Sequence, residues 1–192
     1  MRISPIPVVL AVIIALGVAG CATPPWSTIP GPQRAAKIAV TADLPAGWAR
    51  FNPDAGLLLT KDGPLLQSVQ MRRHKYGAKL ENTDRTIERN AEPLEAAQLL
   101  LDAMMADQSK HQLAVLDNRP AVVSGYPGFR LEVTYKSTDG LTMHETTYVA
   151  LTAESYVIIR FQAPERHYHE RDAGEFERIV ASVKIDEQPG KS

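Results

Sequence analysis

The chain has 192 residues, 44% of them hydrophobic and 22% charged, which suits one domain with a short appendage and leaves little room for two. Its 21 basic and 22 acidic residues give a net charge of −1, so no strong field argues for nucleic acid or a polybasic membrane patch. The single cysteine excludes an internal disulfide, a CxxC redox pair and a thiolate zinc cluster.

Residues 1–20 read as a secretory signal. Arg2 and the amino terminus make a short positive region, and Ile6 to Val18 make an apolar one. At roughly 13–15 residues that run is short for a membrane-spanning helix, which needs about 20. Val18-Ala19-Gly20-Cys21 resembles the bacterial lipobox, where a peptidase cuts before a lipid-modified cysteine. Small residues at 19 and 20 fit a groove that must admit extended backbone, and Val18 stands where leucine is commoner. Cys21 is therefore the expected lipidation site; an ordinary signal or an uncleaved anchor is the plainer alternative. Several acyl chains at about 0.8 kcal/mol per methylene would anchor the protein permanently. Ala22, in place of aspartate, implies by the same resemblance export to the outer membrane with the domain in the periplasm.

Residues 21–36 hold Pro24, Pro25, Pro30 and Pro32 with Gly31, and read as an extended tether. At about 3.1 Å per residue it spans up to roughly 45 Å. Trp26 fits either the headgroup interface or a seat on the domain.

Residues 37–186 read as one α+β domain, an antiparallel sheet flanked by helices, and 187–192 as a polar tail. Trp48–Asn52 and Leu57–Lys61 predict a hairpin, and Leu65–His74 a longer strand. Arg72 to Arg89 is densely charged and reads mostly as an exposed connection. Glu92-Pro93 opens a helix whose stripe is Leu94, Ala97, Leu101, Met104 and Met105. His111–Asp117 and Ala121–Ser124 read as strands flanking a turn at Asn118-Arg119-Pro120. In FRLEVTY, Phe129, Leu131, Val133 and Tyr135 alternate onto one face. Leu141–Leu151 and Ser155–Ala163 follow after short turns, completing an antiparallel three-strand meander. Pro164 starts a second helix that points Phe176, Ile179, Val180 and Val183 inward.

Leu44-Pro45-Ala46-Gly47-Trp48 before a hairpin resembles the "LP-x-GW" opening of PsbP-like domains. The order of a central helix, the segment 121–128 and a meander continues the resemblance, and Phe176 to Lys184 is similar to the "F-x-x-IV-x-SF" ending. The resemblance implies an α-β-α sandwich and a mostly non-enzymatic family of assembly proteins, nuclear-transport cofactors and bacterial envelope lipoproteins. It has no shared catalytic motif to carry over.

No GxSxG, SxxK, HExxH, GxGxxG or Walker pattern occurs, so no catalytic residue and no cofactor is assigned. Ser124 reads as a turn residue. Glu165 to Asp172 contains His167 and His169, which stand about 200° apart on a helix and diverge. They converge on a metal only if the helix starts after them, with a third ligand from Glu170, Asp172 or His144. The plainer reading is an exposed charged turn, and no metal ligand is assigned. Arg72-Arg73-His74-Lys75 reads as solvated surface or an anion contact. Tyr76, Tyr126, Tyr148, Tyr156 and Tyr168 fit either a recognition groove or core packing. The functional expectation is a lipid-anchored periplasmic interaction or assembly module with an envelope protein partner; the alternative is a tethered small-ligand or metal carrier.

Overall fold

The structure, a computed structural model, describes residues 26–28, 30–51 and 56–187. Val18, Ala19, Gly20 and Cys21, read above as resembling a lipobox, lie outside the described residues, as do 188–192. The strands in chain order are β1 (Trp26–Ser27), β2 (Gly31–Ala35), β3 (Val40–Leu44), β4 (Ala49–Phe51), β5 (Leu57–Thr60) and β6 (Ser68–Lys75). Helix α1 (Pro93–Met105) follows, then β7 (His111–Val123), β8 (Tyr126–Lys136), β9 (Thr142–Leu151) and β10 (Ser155–Pro164). Helix α2 (Glu170–Ser182) and β11 (Lys184–Ile185) complete the described chain.

Among the described residues the main sheet has eight strands in the order β1-β4-β5-β6-β10-β9-β8-β7, and a second has three in the order β11-β3-β2. Every pairing is antiparallel. Strand β10 shows how the main sheet builds two cores. Val157, Ile159 and Phe161 point to one face, where they meet Phe176, Ile179 and Val180 of α2 and Val40 and Leu44 of the small sheet. Tyr156 and Ile158 point to the other, joining Phe129, Leu131 and Val133 beneath α1. A strand buried on both faces carries a near-continuous apolar run, as Tyr156 to Ile159 does. The expected sandwich is thus modified: α2 shares its side with the small sheet, and sheet dominates the architecture.

The LP-x-GW stretch is a turn with a structural reason for each residue. Trp48 N donates to Pro45 O at 3.2 Å, and Gly47 supplies the positive φ of 84° that this turn requires. Trp48 is fully buried, and its Nε1 donates to Glu175 Oε2 of α2 at 2.5 Å. The C-terminal motif answers it: Ser182 Oγ accepts from Asp43 N at 2.9 Å and donates to Ile179 O at 2.7 Å. Helix α1 begins as expected, with Pro93 at its start and a reciprocal capping box between Glu92 and Glu95. Its buried stripe is Ala96, Ala97, Leu100, Leu101, Ala103 and Met104; Leu94 and Met105 are exposed, one helical position off the expected face.

Three expectations are corrected. The outer part of the expected tether belongs to the domain: β2 pairs with β3 from Gly31↔Leu44 to Ala35↔Val40. Pro32 is tolerated there because β2 is an edge strand. Trp26 takes the domain seat, its ring 4.9 Å from that of Phe51. The strands expected on either side of Asn118-Arg119-Pro120 are one strand, β7, paired with β8 through Pro120↔Phe129. The hairpin turn lies at Ser124-Gly125, both with positive φ (54° and 83°), the signature of a tight two-residue turn. Strand β6 starts at Ser68, leaving Leu65 and Leu66 in a turn.

Candidate functional site

Ser124 is confirmed as a turn residue, and its Oγ accepts from Ile185 N at 3.0 Å, tying the β7–β8 turn to the small sheet. Arg73, from the basic run, donates to the backbone oxygens of Ile38 (2.7 Å) and Asp186 (2.8 Å) and to Ser155 Oγ (2.9 Å). It is a strut between sheets. The tyrosines divide between the two cores: Tyr126, Tyr148 and Tyr168 pack on the α2 side, Tyr76 and Tyr156 on the α1 side. They form no single groove.

Two clusters remain. The first is a cleft of about 220 Å³ between α1, the connection after β6, and the α1 face of β6 and β10. Arg72, Lys79, Lys110 and Arg160 bring cationic groups to it, against Glu81 and Asp107; Leu80, Leu100 and Ile158 form an apolar wall. Behind it, the fully buried carboxylate of Glu145 sits 2.8 Å from Lys110 Nζ and 2.9 Å from Arg160 Nε. Burial works to raise the Glu145 pKa, but Arg160 and Lys110 outweigh it and hold it below the ordinary value. Lys110 also lies 3.7 Å over the Tyr135 ring. His74 stacks at 5.3 Å on Tyr156, whose hydroxyl burial pushes up to about 12.

The second cluster lies on the opposite face. A turn with non-helical backbone at Arg166 and His167 separates β10 from α2. It leaves His167 exposed and turns His169 inward, to 6% exposure, so the two histidines diverge. His169 meets His144 of β9: the rings stack with centroids 3.5 Å apart and planes 5° apart. His144 Nε2 is 2.6 Å from Glu132 Oε1 on β8, and Thr146 Oγ1 is 3.3 Å from His169 Nε2. Arg130 Nη1 donates to Glu132 Oε2 at 2.5 Å and to Asp117 Oδ2 at 2.7 Å. Desolvation and the neighbouring His144 lower the His169 pKa to about 4, so its ring is neutral at pH 7. The alternation of β8 and β9 put Glu132 and His144 on one face; only the tertiary fold brings His169 to them.

Asp172 and Glu170, weighed as ligands, lie elsewhere. Asp172 is fully buried and accepts from Gln67 Nε2 (2.9 Å), Lys61 Nζ (3.2 Å) and Arg171 Nε (2.9 Å). Burial would raise its pKa, and these donors override it, so the group stays ionised below the usual carboxylate range. This knot fixes the β5–β6 turn to α2. Glu170 is exposed.

The geometry defines an α+β protein with an antiparallel sheet buried on both faces. The PsbP family model matches residues 42–185, and the chain belongs to that family. The solution structure of CyanoP, the cyanobacterial PsbP from Synechocystis sp. PCC 6803, is similar with a TM-score of 0.57 at 12% identity, covering 89% of this chain and 99% of that one. The Saccharomyces cerevisiae Ran-binding protein Mog1p is similar with a TM-score of 0.52 at 15% identity, covering 83% and 96%. At these identities the likeness establishes the fold. No curated protein sequence matches the chain. No helix among the described residues is long and apolar enough to cross a membrane.

Proposed function

We propose that the protein is a non-catalytic interaction or assembly module of the bacterial cell envelope, anchored by lipid on Cys21 to the outer membrane with its domain in the periplasm. Membership of the PsbP family and the lipobox-like Val18-Ala19-Gly20-Cys21 support this reading. The observation that carries it is the open edge of the main sheet. Strand β7 ends the sheet and exposes Val115 (43%), Leu116 (55%) and Val122 (72%). Register shifts before Ala114 and Asp117, together with Pro120, blunt this edge against simple strand addition. It therefore suits a side-chain contact with an envelope protein. Crosslinking in intact cells, followed by isolation from membranes, tests this. An envelope protein captured by the wild type and lost on Val122→Glu supports the reading. Capture of nothing above background, or capture unaffected by that change, opposes it.

The cleft favours a second reading, a tethered carrier of a small anion. Its cations stand beside an apolar wall, which suits a carboxylate with a short hydrocarbon part. Native mass spectrometry of the protein purified from its own membranes would reveal such a molecule. A clean apoprotein mass would remove this reading.

A further inference from the structure

We propose that Glu132, His144 and His169 form a binding site for one divalent transition-metal ion of the zinc class. Each offers one ligand atom, and these atoms all lie within 4.8 Å of one another. Two imidazoles and a carboxylate are a donor set that borderline metals such as zinc take, leaving a position for water or a further ligand. The inference is independent of the interaction-module reading.

Distances say what must move. An ion about 2.0–2.1 Å from each ligand in tetrahedral geometry sets the ligand atoms about 3.3 Å apart. Glu132 and His144 are already closer than that, at 2.6 Å. No separation exceeds 4.8 Å, so none must close by more than about 1.5 Å. The two rings stack in nearly parallel planes, so their lone pairs run side by side and do not converge on one point. Binding one ion therefore requires one ring to turn about its side-chain torsions. His169 is placed for this, at the junction of the non-helical turn and α2, two residues from His167 with its positive φ of 71°.

The surroundings fit a cation. Arg130 takes one oxygen of Glu132 and leaves the other toward His144. Asp117 and Glu177 also face Arg130, and Arg119 pairs with Asp117. Three carboxylates against two guanidinium groups leave the network around Arg130 with one negative charge, and Glu132 carries that network to His144. Arg130 also fixes the Glu132 carboxylate, as groups behind metal ligands commonly do.

The test uses the full chain in detergent, without a histidine tag. Titration with Co²⁺ should give a d–d absorption band saturating at one equivalent, bleached by Zn²⁺. His144→Gln and His169→Phe should each weaken Zn²⁺ binding at least 100-fold, and Glu132→Gln at least 10-fold. His167→Ala and His111→Ala should leave it unchanged. Phenylalanine keeps an aromatic ring in the His169 stack, and thermal melts establish that each variant is folded. If the His169 variant does not fold, loss in His144→Gln with retention in His167→Ala still supports the site. No stoichiometric Co²⁺ or Zn²⁺ binding by the wild type, or undiminished binding by His144→Gln, overturns it.

Discussion

The imidazoles of His144 and His169, one from β9 and one from the turn before α2, stack with centroids 3.5 Å apart. Phe161 lies 5.2 Å from His169 and continues the stack toward Phe176. The histidine pair is thus the polar end of an aromatic column joining sheet to helix. His169→Ala should cost about 3 kcal/mol, the scale of truncating a buried ring. His169→Phe should cost less than half of that. Chemical denaturation of the two variants checks the order, and equal costs would assign the stability to the imidazole's polar contacts.

Asp172 is the electrostatic pin of α2. Asp172→Ala should destabilise the protein by about 3 kcal/mol, because it strands the buried amide of Gln67 and the paired cations. The folded pKa is lowered from 3.8, so this stabilisation is complete above that value and disappears as pH falls through the folded pKa. The melting-temperature gap between wild type and Asp172→Asn should therefore narrow as pH drops below 3.8. A gap that widens on acidification would contradict the assignment.

Gly128 lies where β8 crosses β9 closely. A Cβ there would fall 1.8 Å from Val149 O and 2.8 Å from Val149 C, and backbone cannot yield as a side chain does. Gly128→Ala should cost roughly 3 kcal/mol or more. Gly174, whose added Cβ would meet only Arg178 Nη1 at 4.0 Å, is the control: Gly174→Ala should be neutral or stabilising, since it lies within α2. Denaturant midpoints of the two variants decide this.

Cys21→Ser should abolish incorporation of labelled fatty acid and release the protein from the membrane fraction. Label that persists in the variant removes the lipid anchor from the account.

Much of the fold was legible because local and tertiary demands coincide. FRLEVTY alternates by period two, and Phe129, Leu131, Val133 and Tyr135 are all buried on one face. Phe176, Ile179, Val180 and Val183 follow a helical stripe and pack as that stripe requires. Where edges relax the rules, the reading failed. Pro32 and Pro120 look like breakers, yet both sit in edge strands, where proline is admitted. Leu65 is apolar but 94% exposed in the β5–β6 turn, so hydrophobicity misplaced the start of β6. In the histidine cluster, helical spacing does not explain the divergence of His167 from His169: α2 starts after both, at Glu170, and the non-helical turn sends one ring out and the other in. Nor does it explain the meeting of His169 with His144 and Glu132, which depends on the register of β9 against β10 and on the turn before α2. Asp172 looked like surface charge because its partners Lys61 and Gln67 come from a distant turn.

The proposed interaction module works through the open edge of the main sheet at β7, where Val115, Leu116 and Val122 are exposed. Crosslinking in intact cells, with wild type and Val122→Glu compared at equal abundance and equal melting temperature, tests it most directly. One envelope protein should be recurrently captured by the wild type and lost from the variant. Identical capture by both, or none by either, would contradict it.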